Sequence, residues 1–462
     1  MTIEIVNIED IRPASYNPRK IEAEQFENLK QSLQKVGFVI PVLVNRANGV
    51  IIAGHQRTKA ATAIGIKKVP AIKIDNVAYG DEIKFNQMHN GVDEQQGYTA
   101  TVRGSDALAL NQFVLVPPGQ FSVVKSGAEF TKEICRLMLR YGNVFNCVVC
   151  RGQALIGANY IKACQLLNMD VNTYRLPDEM FDTAKMYLEG KYGVYSYDEI
   201  KRNTYVQGLA QMFRRVEKSE EVRKENHSSL YVNHVLPFLQ SADTVKSILD
   251  FGCGKGAYID YLKKSYDAIG VEFYNNNGKS INVSKGNLQI DTLISYVSTG
   301  KRFEVVVCDS VLNSVDSVRA ELSVVTCCNL FCDMGGKLFI SGRPYDEQTR
   351  KIRCSKSKST AKRYIEYLDE NKFTALYRKG NWYFQHYHLP EDVYTLLERC
   401  GFKIDDITWC KYGSSWQAAA TKVRELSAPE YTDAVDFEFN LPLPNDHSYN
   451  RHEEVKAALG LA

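Results

Sequence analysis

Two acidic residues have the spacing of a nucleoside-binding turn. Asp250 stands in the segment SILDFGCGKG, and Glu272, 22 residues further on, ends the segment AIGVE. Each carboxylate closes an apolar run that reads as a buried parallel strand, so both are expected at one edge of a sheet. Gly252 and Gly254 let the backbone approach a ligand there, and Glu272 can accept hydrogen bonds from two ribose hydroxyls. The spacing therefore predicts a strand, a glycine turn and a helix that hold a nucleoside.

A second glycine turn carries a cation. Residues 50–65 read VIIAGHQRTKAATAIG, an apolar run followed by Gly54, His55, Gln56 and Arg57 at the start of a helix. The glycine permits close approach, the helix N-terminus offers free N–H groups, and the arginine can form paired hydrogen bonds with an anion. These four residues are candidates for holding a phosphate, and a strand-to-helix turn without a ligand is the alternative.

A basic segment offers contacts to nucleic acid. Residues 343–363 hold eight lysines and arginines against two acids, and they follow a predicted strand at the edge where the cleft of an α/β fold opens. The interleaved serines and threonines suit phosphate contacts as well. The candidate residues are Arg343, Arg350, Lys351, Arg353, Lys356 and Lys358. A solvated loop without a ligand is the alternative.

Residues 381–389, NWYFQHYHL, alternate as a strand does. Trp382, Phe384, His386 and His388 then share one face, which could stack a nucleobase and supply His386 as a general base. Plain packing within a sheet explains the same alternation.

The twelve cysteines do not point to a metal centre. Most lie in apolar runs, where free cysteine behaves as a small buried hydrophobe. Cys147 and Cys150 have the spacing of a zinc knuckle, but no matching Cys or His pair lies nearby, so no metal site is expected.

Length and composition describe a protein with several domains. A chain of 462 residues is expected to form two to four domains, and its 44% hydrophobic and 24% charged residues are typical of globular proteins. We expect a cytoplasmic protein without membrane contact, because no run of 18 apolar residues occurs and the first residues, MTIEIVNIED, do not resemble a signal peptide.

Residues 1–95 supply the elements around the first cationic turn. A short strand is followed by the phrase NPRK, an amphipathic helix, the strands IPVLVN and VIIA, the helix after Gly54, and the strand VPAIKI. The phrases NPRK, IPVLV, IIAGHQR and KKVPAI resemble the ParB/sulfiredoxin-like fold, an α+β domain. The resemblance implies that Gly54–Arg57 engages DNA or a nucleotide such as ATP or CTP. The GHQR version resembles the short ParB-type domains found beside DNA methyltransferases in phages and mobile elements.

Residues 110–195 repeat this pattern. The stretch around QALIGANYIKACQLLN parallels the stretch around VIIAGHQRTKAATAIG, with Gly157 falling on Gly54. Ala158, Asn159 and Tyr160 stand where the first stretch has His55, Gln56 and Arg57. The second stretch therefore lacks a positively charged side chain that could bind an anion. We expect a degenerate second ParB-like copy that serves in packing or docking, and a chance resemblance is the alternative. Residues 196–245 read as a helical connector.

Residues 246–425 resemble the class I S-adenosylmethionine-dependent methyltransferases, a Rossmann-like fold, and residues 426–462 read as a tail. The phrase DFGCGKG has an acid at the strand end and closely spaced glycines, as in the first motif of that family. The resemblance implies the cofactor S-adenosyl-L-methionine, with its ammonium group attracted by Asp250 and its adenine near Asn287. It also places Asp309 at the end of the fourth strand, as a candidate catalytic residue beside His386. The predicted cofactor-binding residues are Asp250, Gly252, Gly254, Glu272 and Asn287.

The expected substrate follows from the domains that occur together on this chain. The segment CDSVLN lacks the Pro-Pro-aromatic motif of DNA amino-methyltransferases and the Pro-Cys nucleophile of cytosine-5 enzymes. VCDSVLNSV resembles a methyltransferase family associated with DNA phosphorothioation and phage modification clusters. We therefore expect a transferase that modifies DNA, encoded by a phage or mobile element, with DNA and other DNA-modification proteins as partners. The alternatives are a DNA-binding regulatory or partition-type protein with a non-catalytic methyltransferase-like domain, and a nucleotide-dependent ParB-fold enzyme.

Overall fold

The computed structural model divides into two compact units, Met1–Lys201 and Arg202–Ala462. The structure describes residues 3–17, 19–92, 98–126, 131–190, 192–197, 200, 228–242, 244–275, 280–345, 368–378, 380–409, 415–444 and 446–461. Within these ranges, no helix combines the length and the apolar content that crossing a bilayer requires.

The first unit contains short helices and strands in two successive groups. Its elements are β1 (Ile3–Asn7), β2 (Arg19–Lys20), α1 (Ala23–Lys35), β3 (Val42–Asn45), β4 (Ile51–Ala53), α2 (His55–Ala63), β5 (Lys68–Ile74), α3 (Tyr79–Val92), β6 (Tyr98–Val102), β7 (Phe113–Val116), β8 (Phe121–Lys125), α4 (Thr131–Tyr141), β9 (Cys147–Cys150), β10 (Gln153–Ile156), α5 (Ala158–Leu167), β11 (Val171–Arg175), α6 (Phe181–Leu188) and β12 (Val194–Tyr195). Residues up to 92 form the first half of this unit, and residues 98–195 form the second half.

The two halves contain sheets with the same central order. The first sheet runs β1-β5-β3-β4, and the second runs β7-β11-β9-β10 before adding β6 and β8. In both, the inner pair (β3 with β5, β9 with β11) is parallel and its neighbours are antiparallel. A glycine with positive φ, Gly54 at 100° and Gly157 at 87°, precedes the helix that follows β4 or β10. Both turns thus need a conformation that L side chains rarely adopt.

The two halves contact each other reciprocally. Helix α1 of the first half packs against α6 of the second, and α4 of the second packs against α3 of the first. The Tyr187 hydroxyl donates to Gln31 Oε1 at 3.1 Å across one contact, and Arg140 pairs with Asp81 at 2.7 Å across the other. Each half thus contributes one helix from its start and one from its end to these contacts.

The second unit is built on one twisted sheet. Its elements are a π-helical turn (Tyr231–Val235), α7 (Leu236–Ser241), β13 (Ser247–Phe251), α8 (Ala257–Leu262), β14 (Asp267–Val271), α9 (Val283–Val297), β15 (Phe303–Cys308), α10 (Val318–Phe331), β16 (Cys332–Gly342), β17 (Phe373–Arg378), β18 (Asn381–His386), α11 (Pro390–Arg399), β19 (Phe402–Trp409), β20 (Trp416–Lys422), α12 (Ala428–Glu438) and α13 (His452–Leu459). The sheet order is β14-β13-β15-β16-β20-β19, and β17 pairs separately with β18.

The strand directions put several loops at one edge of this sheet. Strands β14, β13, β15 and β16 are parallel, whereas β20 runs antiparallel to β16 and to β19. Strands β13, β14 and β15 and the second half of β16 are mostly buried, which explains their apolar sequences. Their carboxyl ends are where ligands bind in open α/β sheets.

The unit reaches beyond the limits expected from sequence. The turn at 231–235 packs into the core with Ile248 and Val305, although this segment read as a connector. Phe439, after α12, contacts the ring of Phe273, and the Tyr449 hydroxyl donates to the Phe273 carbonyl at 2.8 Å. The expected tail is therefore part of the fold, because it covers an aromatic surface that the sheet would otherwise expose.

Candidate functional site

Glu272 stands directly after β14 and is fixed by the turn that follows β13. Its Oε2 accepts a hydrogen bond from the Gly254 N–H at 2.9 Å, and its Oε1 accepts one from the Tyr274 N–H at 2.8 Å. The residue is 3% exposed. A carboxylate held by two backbone donors keeps further lone pairs for hydroxyl ligands, as the ribose role requires.

The glycine turn leaves room beside this carboxylate. Gly252 has φ +91°, and a Cβ there would lie 2.3 Å from Val311 Cγ2, so no side chain fits. Gly254 has φ +59°, and no described atom lies within 4 Å of the place a Cβ would take. The turn therefore offers a backbone surface to a ligand, and the cradle fits the methionine part of S-adenosylmethionine.

Asp250 is held by a residue that no sequence pattern singled out. The Tyr231 hydroxyl donates to Asp250 Oδ2 at 2.7 Å, and the Tyr231 ring stacks on Tyr258 at 3.8 Å. Burial raises the pKa of Tyr231, so the phenol remains a donor. The pattern around Tyr231 read as connecting helix, and its link to Asp250 arises from packing alone.

Asp309 follows β15 and accepts hydrogen bonds from three hydroxyls. Ser310 and Ser341 donate to its Oδ1 at 3.0 and 2.6 Å, and Ser228 donates to its Oδ2 at 2.6 Å. The same Ser228 hydroxyl accepts the Tyr231 N–H at 3.2 Å. The structure thus joins Asp250 and Asp309 through residues 228–231.

Asn287 lies elsewhere in the network. It is within α9, and its Oδ1 accepts a hydrogen bond from Arg451 Nη1 at 3.3 Å. The amide that meets Glu272 is Gln289, whose Oε1 accepts the Glu272 N–H at 3.2 Å and the Asn275 amide at 2.6 Å. Gln289 is therefore the helix residue that contacts the Glu272 backbone, and the adenine role of Asn287 stays a prediction.

His386 is not placed as a base. It is 4% exposed, stacks on Phe373 at 3.9 Å, and its Nε2 donates to the Asn371 carbonyl at 3.0 Å. Its Nδ1 lies 3.1 Å from Glu321 Oε1. The alternation of residues 381–386 is confirmed by their burial, but it serves packing, because both ring nitrogens face protein atoms.

Glu321, His386 and His388 form a buried cluster with the donor types of a metal site. The Trp416 indole N–H donates to His388 Nδ1 at 3.2 Å, so the proton of a neutral ring is on Nε2, which faces Glu321. Burial lowers the pKa of His388, which keeps the ring neutral. The Nε2–H of His388 therefore donates to Glu321, and His386 Nδ1 lies beside the same carboxylate oxygen.

The basic segment is described only at its start. Arg343 donates from Nη1 to Gln385 Oε1 at 3.1 Å, and its carbonyl accepts the His388 N–H at 2.9 Å. The remaining candidates lie outside the described residues: Arg350, Lys351, Arg353, Lys356 and Lys358.

The cationic turn of the first unit is tied to its own half. His55 Nε2 accepts the Ala14 N–H at 3.1 Å, and burial lowers the pKa of His55 to about 4, so the ring is neutral. Gln56 Nε2 donates to the Arg19 carbonyl at 3.0 Å. Arg57 Nη1 donates to the Ile40 carbonyl at 2.6 Å. Arg57 therefore supplies the positive charge of this turn.

The turn opens on a cavity of about 600 Å³ that both halves of the unit line. Gly54–Arg57 forms part of one wall, and Gly157–Tyr160 forms part of the other. The volume suits a small organic ligand. In the second half, Tyr160 is 2% exposed, donates to Asn143 Oδ1 at 2.7 Å and accepts the Asn172 N–H at 2.9 Å. The Tyr160 hydroxyl thus forms its hydrogen bonds within its own half, and the tyrosine brings no positive charge to a ligand.

Two family models match the chain. Residues 1–88 match the ParB N-terminal domain, and residues 223–406 match a methyltransferase domain.

Curated relatives are similar to the first of these stretches. Stage 0 sporulation protein J of Bacillus subtilis is 39% identical over 74 residues, which are 15% of this chain and 26% of that protein. The chain thus spans about a quarter of that relative. The ParB-like nuclease domain-containing protein YnaK of Escherichia coli is 33% identical over 70 residues, 15% of this chain and 79% of that protein.

Among solved structures, a putative S-adenosylmethionine-dependent methyltransferase from Listeria monocytogenes is similar at 11% identity and a TM-score of 0.31, covering 42% of this chain and 99% of that one. Through residues 1–88, the chain belongs to the family of proteins with a ParB N-terminal domain, and residues 223–406 form a methyltransferase domain.

Proposed function

We propose that the protein is an S-adenosylmethionine-dependent methyltransferase that modifies DNA. The observation that carries the proposal is the open turn at Gly254, placed between the strand-end carboxylates Asp250 and Glu272. A ParB N-terminal domain on the same chain supports DNA as the substrate. The setting we propose is the cytoplasm of a bacterial cell that carries a phage or another mobile element.

The residues at the sheet edge bind and orient the cofactor. Bound there, S-adenosylmethionine supplies an electrophilic methyl group. Glu272 accepts hydrogen bonds from the ribose hydroxyls, while Asp250, kept in place by Tyr231, attracts the ammonium group. The Gly252–Gly254 backbone would hold the methionine part.

Asp309 orients the group that is methylated. It stands at the end of the neighbouring strand, and three serine hydroxyls fix its carboxylate. Its place after β15 is beside the proposed cofactor turn, and we propose that the carboxylate accepts an N–H or O–H of the target. We keep Asp309 as the catalytic candidate. We no longer assign that role to His386, because its ring nitrogens face Asn371 and Glu321.

DNA contacts are proposed for the segment that begins at Arg343. Phosphate contacts of this kind give salt-dependent affinity, so Arg350→Glu combined with Lys351→Glu should weaken DNA binding and flatten its salt dependence. Unchanged binding would exclude the segment.

The first unit engages an anion at its cavity. We assign residues 110–195 as a degenerate second ParB-like copy, supported by the shared strand order and by the glycine that precedes each equivalent helix. The first copy holds a phosphate, from a nucleotide such as ATP or CTP or from DNA, with Gly54, His55, Gln56 and Arg57. The second copy packs against it and holds no anion.

Transfer of a labelled methyl group tests the function. The full chain is incubated with methyl-labelled S-adenosylmethionine and with DNA, and the label is counted in DNA and in protein. Label in DNA that disappears with Glu272→Ala supports the proposal. Cofactor binding without transfer to DNA would favour the regulatory alternative, and nucleotide hydrolysis without cofactor binding would favour the nucleotide-dependent enzyme.

A further inference from the structure

Two residues that follow α12 lie against the segment that carries Glu272. Strand β14 is at one edge of the sheet among the described strands, and Glu272 and Phe273 come directly after it. The Phe439 ring meets the Phe273 ring edge to face, with 5.2 Å between the ring centres. The Tyr449 hydroxyl donates a hydrogen bond to the Phe273 carbonyl oxygen at 2.8 Å. Residues far along the chain thus hold the backbone beside the proposed acceptor of the ribose hydroxyls.

Tyr449 reaches Phe273 by crossing α9 at Gly286. A Cβ on Gly286 would lie 2.0 Å from the Tyr449 hydroxyl oxygen and 2.5 Å from its Cζ, so any side chain there would displace the tyrosine. Gly286 is buried within α9, where glycine is among the least favourable residues for helix stability. The passage of Tyr449 over the helix explains why a glycine stands at this position.

Helix α9 holds the same segment on either side of Phe273. Gln289 lies three residues after Gly286, and its Oε1 accepts the Glu272 N–H at 3.2 Å and the Asn275 amide at 2.6 Å. The carbonyl of Phe273, between these two contacts, is the group that Tyr449 binds. The backbone of residues 272–275 is therefore fixed by α9 at both ends and by Tyr449 in the middle.

The Tyr449 hydroxyl is a buried donor close to the acid. The residue is 7% exposed. Burial, and after it the negative charge of Glu272, raises the pKa of Tyr449 to about 12, so the phenol keeps its proton and donates it to Phe273.

We propose that Tyr449 is a positioning residue for the nucleoside end of the cofactor site, because its hydrogen bond to Phe273 fixes the backbone that aims the Glu272 carboxylate at the ribose hydroxyls. The inference rests on the proposed binding of S-adenosylmethionine at Glu272. It gives residues that read as a tail in the sequence a part in binding. A small displacement of Glu272 weakens both ribose contacts together, since hydrogen bonds depend steeply on distance and angle.

Tyr431 provides a matched control for Tyr449. Both tyrosines are buried and both hydroxyls are hydrogen-bonded. The Tyr431 hydroxyl lies 2.6 Å from Asn329 Oδ1 in α10 and accepts the Leu426 N–H at 2.9 Å after β20. Tyr431→Phe therefore removes a buried hydroxyl from the same unit at another place, and it reports the effect of lost stability alone.

Calorimetry of the full chain with S-adenosylmethionine and with 5′-methylthioadenosine tests the inference. The second probe has the adenosine part of the cofactor without its ammonium and carboxylate groups. Tyr449→Phe should weaken the binding of both probes by the same factor, about fivefold, because one hydrogen bond is lost at the end they share. Tyr431→Phe should change neither affinity by more than about twofold, although it lowers the unfolding midpoint as well.

Gly286→Ala tests the same contact from the helix side. The added methyl group displaces the Tyr449 side chain, so the binding of both probes should weaken about tenfold. The double variant Gly286→Ala with Tyr449→Ala should lose no more affinity than Tyr449→Ala alone, because the glycine acts through the tyrosine.

The outcomes separate the inference from the function on which it rests. If the wild-type chain binds neither probe, cofactor binding at Glu272 is refuted. If it binds both, but Tyr449→Phe behaves as Tyr431→Phe does, the cofactor site stands and the positioning role is overturned. Wild-type binding of S-adenosylmethionine alone, or a loss in Tyr449→Phe confined to that probe, would place recognition at the Asp250 end and would also overturn the role. Should Gly286→Ala or Tyr449→Ala fail to fold, the comparison of the two phenylalanine variants decides.

Discussion

Each unit contains a glycine turn between a strand and a helix. The charged side chains beside the two turns, Arg57 and Glu272, have opposite signs. In each, a strand leads through glycines with positive φ into a helix. The turn at Gly54 is followed by Arg57, whereas the turn at Gly254 donates its own N–H to Glu272. The backbone conformation is thus shared, and the neighbouring side chains differ in charge, which is the basis of the different ligands that we propose for the two turns.

A third turn shows what remains when neither charge is present. Gly157 keeps the positive φ of Gly54, but the position of Arg57 is taken by Tyr160, whose hydroxyl is bonded to Asn143 and Asn172. The glycine therefore serves the fold in all three turns, and the side chains after it serve the ligand.

The largest expected effect is on the acidic turn. Glu272→Ala should weaken S-adenosylmethionine binding at least about 100-fold, since it removes a charged acceptor of two ligand hydroxyls. Glu304→Gln is the matched control, because Glu304 accepts the Ser247 N–H at 3.0 Å in the same sheet, at the start of β15. Calorimetry measures both, and equal losses would show that the effect is structural.

A smaller effect distinguishes the two glycines of the first unit. A Cβ on Gly157 would lie 2.8 Å from the Asn146 carbonyl oxygen and 2.9 Å from Cys147 Cα, whereas a Cβ on Gly54 would meet Arg57 Nη2 at 3.3 Å. Gly157→Ala should therefore lower the free energy of unfolding by about 3 kcal/mol and Gly54→Ala by about 1 kcal/mol. Denaturant titration measures both, and the reverse order would contradict the geometry.

Substitution of Arg57 should affect binding, whereas substitution of Tyr160 should affect stability. Arg57→Gln should weaken nucleotide binding about tenfold with little loss of stability, because one charge-assisted contact is removed. Tyr160→Phe should leave binding unchanged but cost about 1–2 kcal/mol of stability, since the Asn143 and Asn172 groups lose their partner. Arg46→Gln, at a surface ion pair, is the control for charge. If Tyr160→Phe weakened nucleotide binding, the second turn would be part of the site.

A dependence on pH is expected at His55. Burial lowers the pKa of His55 to about 4, below the usual value near 6.5, so the unfolded chain binds the proton first. Its contribution to stability is complete above pH 6.5 and is lost as the pH falls from 6.5 to 4, by about 3 kcal/mol. His55→Ala copies the second half, which has Ala158 at this place. The difference in unfolding midpoint between wild type and His55→Ala should shrink across that range, and a constant difference would refute a buried neutral ring.

The sequence was sufficient for features that depend on local pattern. Apolar runs, glycine positions and strand ends predicted the turns at Gly54 and Gly254 and the position of Glu272 beside the second one. It could not give contacts between distant segments. Tyr231 reaches Asp250 only after the chain before β13 folds onto the sheet. Strands β2 and β12 pair although their residues are about 175 positions apart in the chain.

The alternating pattern of residues 381–389 also suggested a catalytic role for His386. The period of two correctly placed it on a buried face, but the partner of that face, Glu321, comes from α10 and is invisible to local pattern. The expected tail was misread for a similar reason, because Phe439 is buried by rings from three other segments.

The mass of nucleosides from treated DNA tests methyl transfer most directly. DNA incubated with the full chain and S-adenosylmethionine is digested and compared with DNA incubated with Glu272→Ala. We predict one nucleoside heavier by a methyl group, about 14 Da, in the first sample alone, because only that chain holds the cofactor. Identical nucleoside masses in both samples, under conditions where the wild-type chain binds the cofactor, would contradict a DNA-modifying methyltransferase.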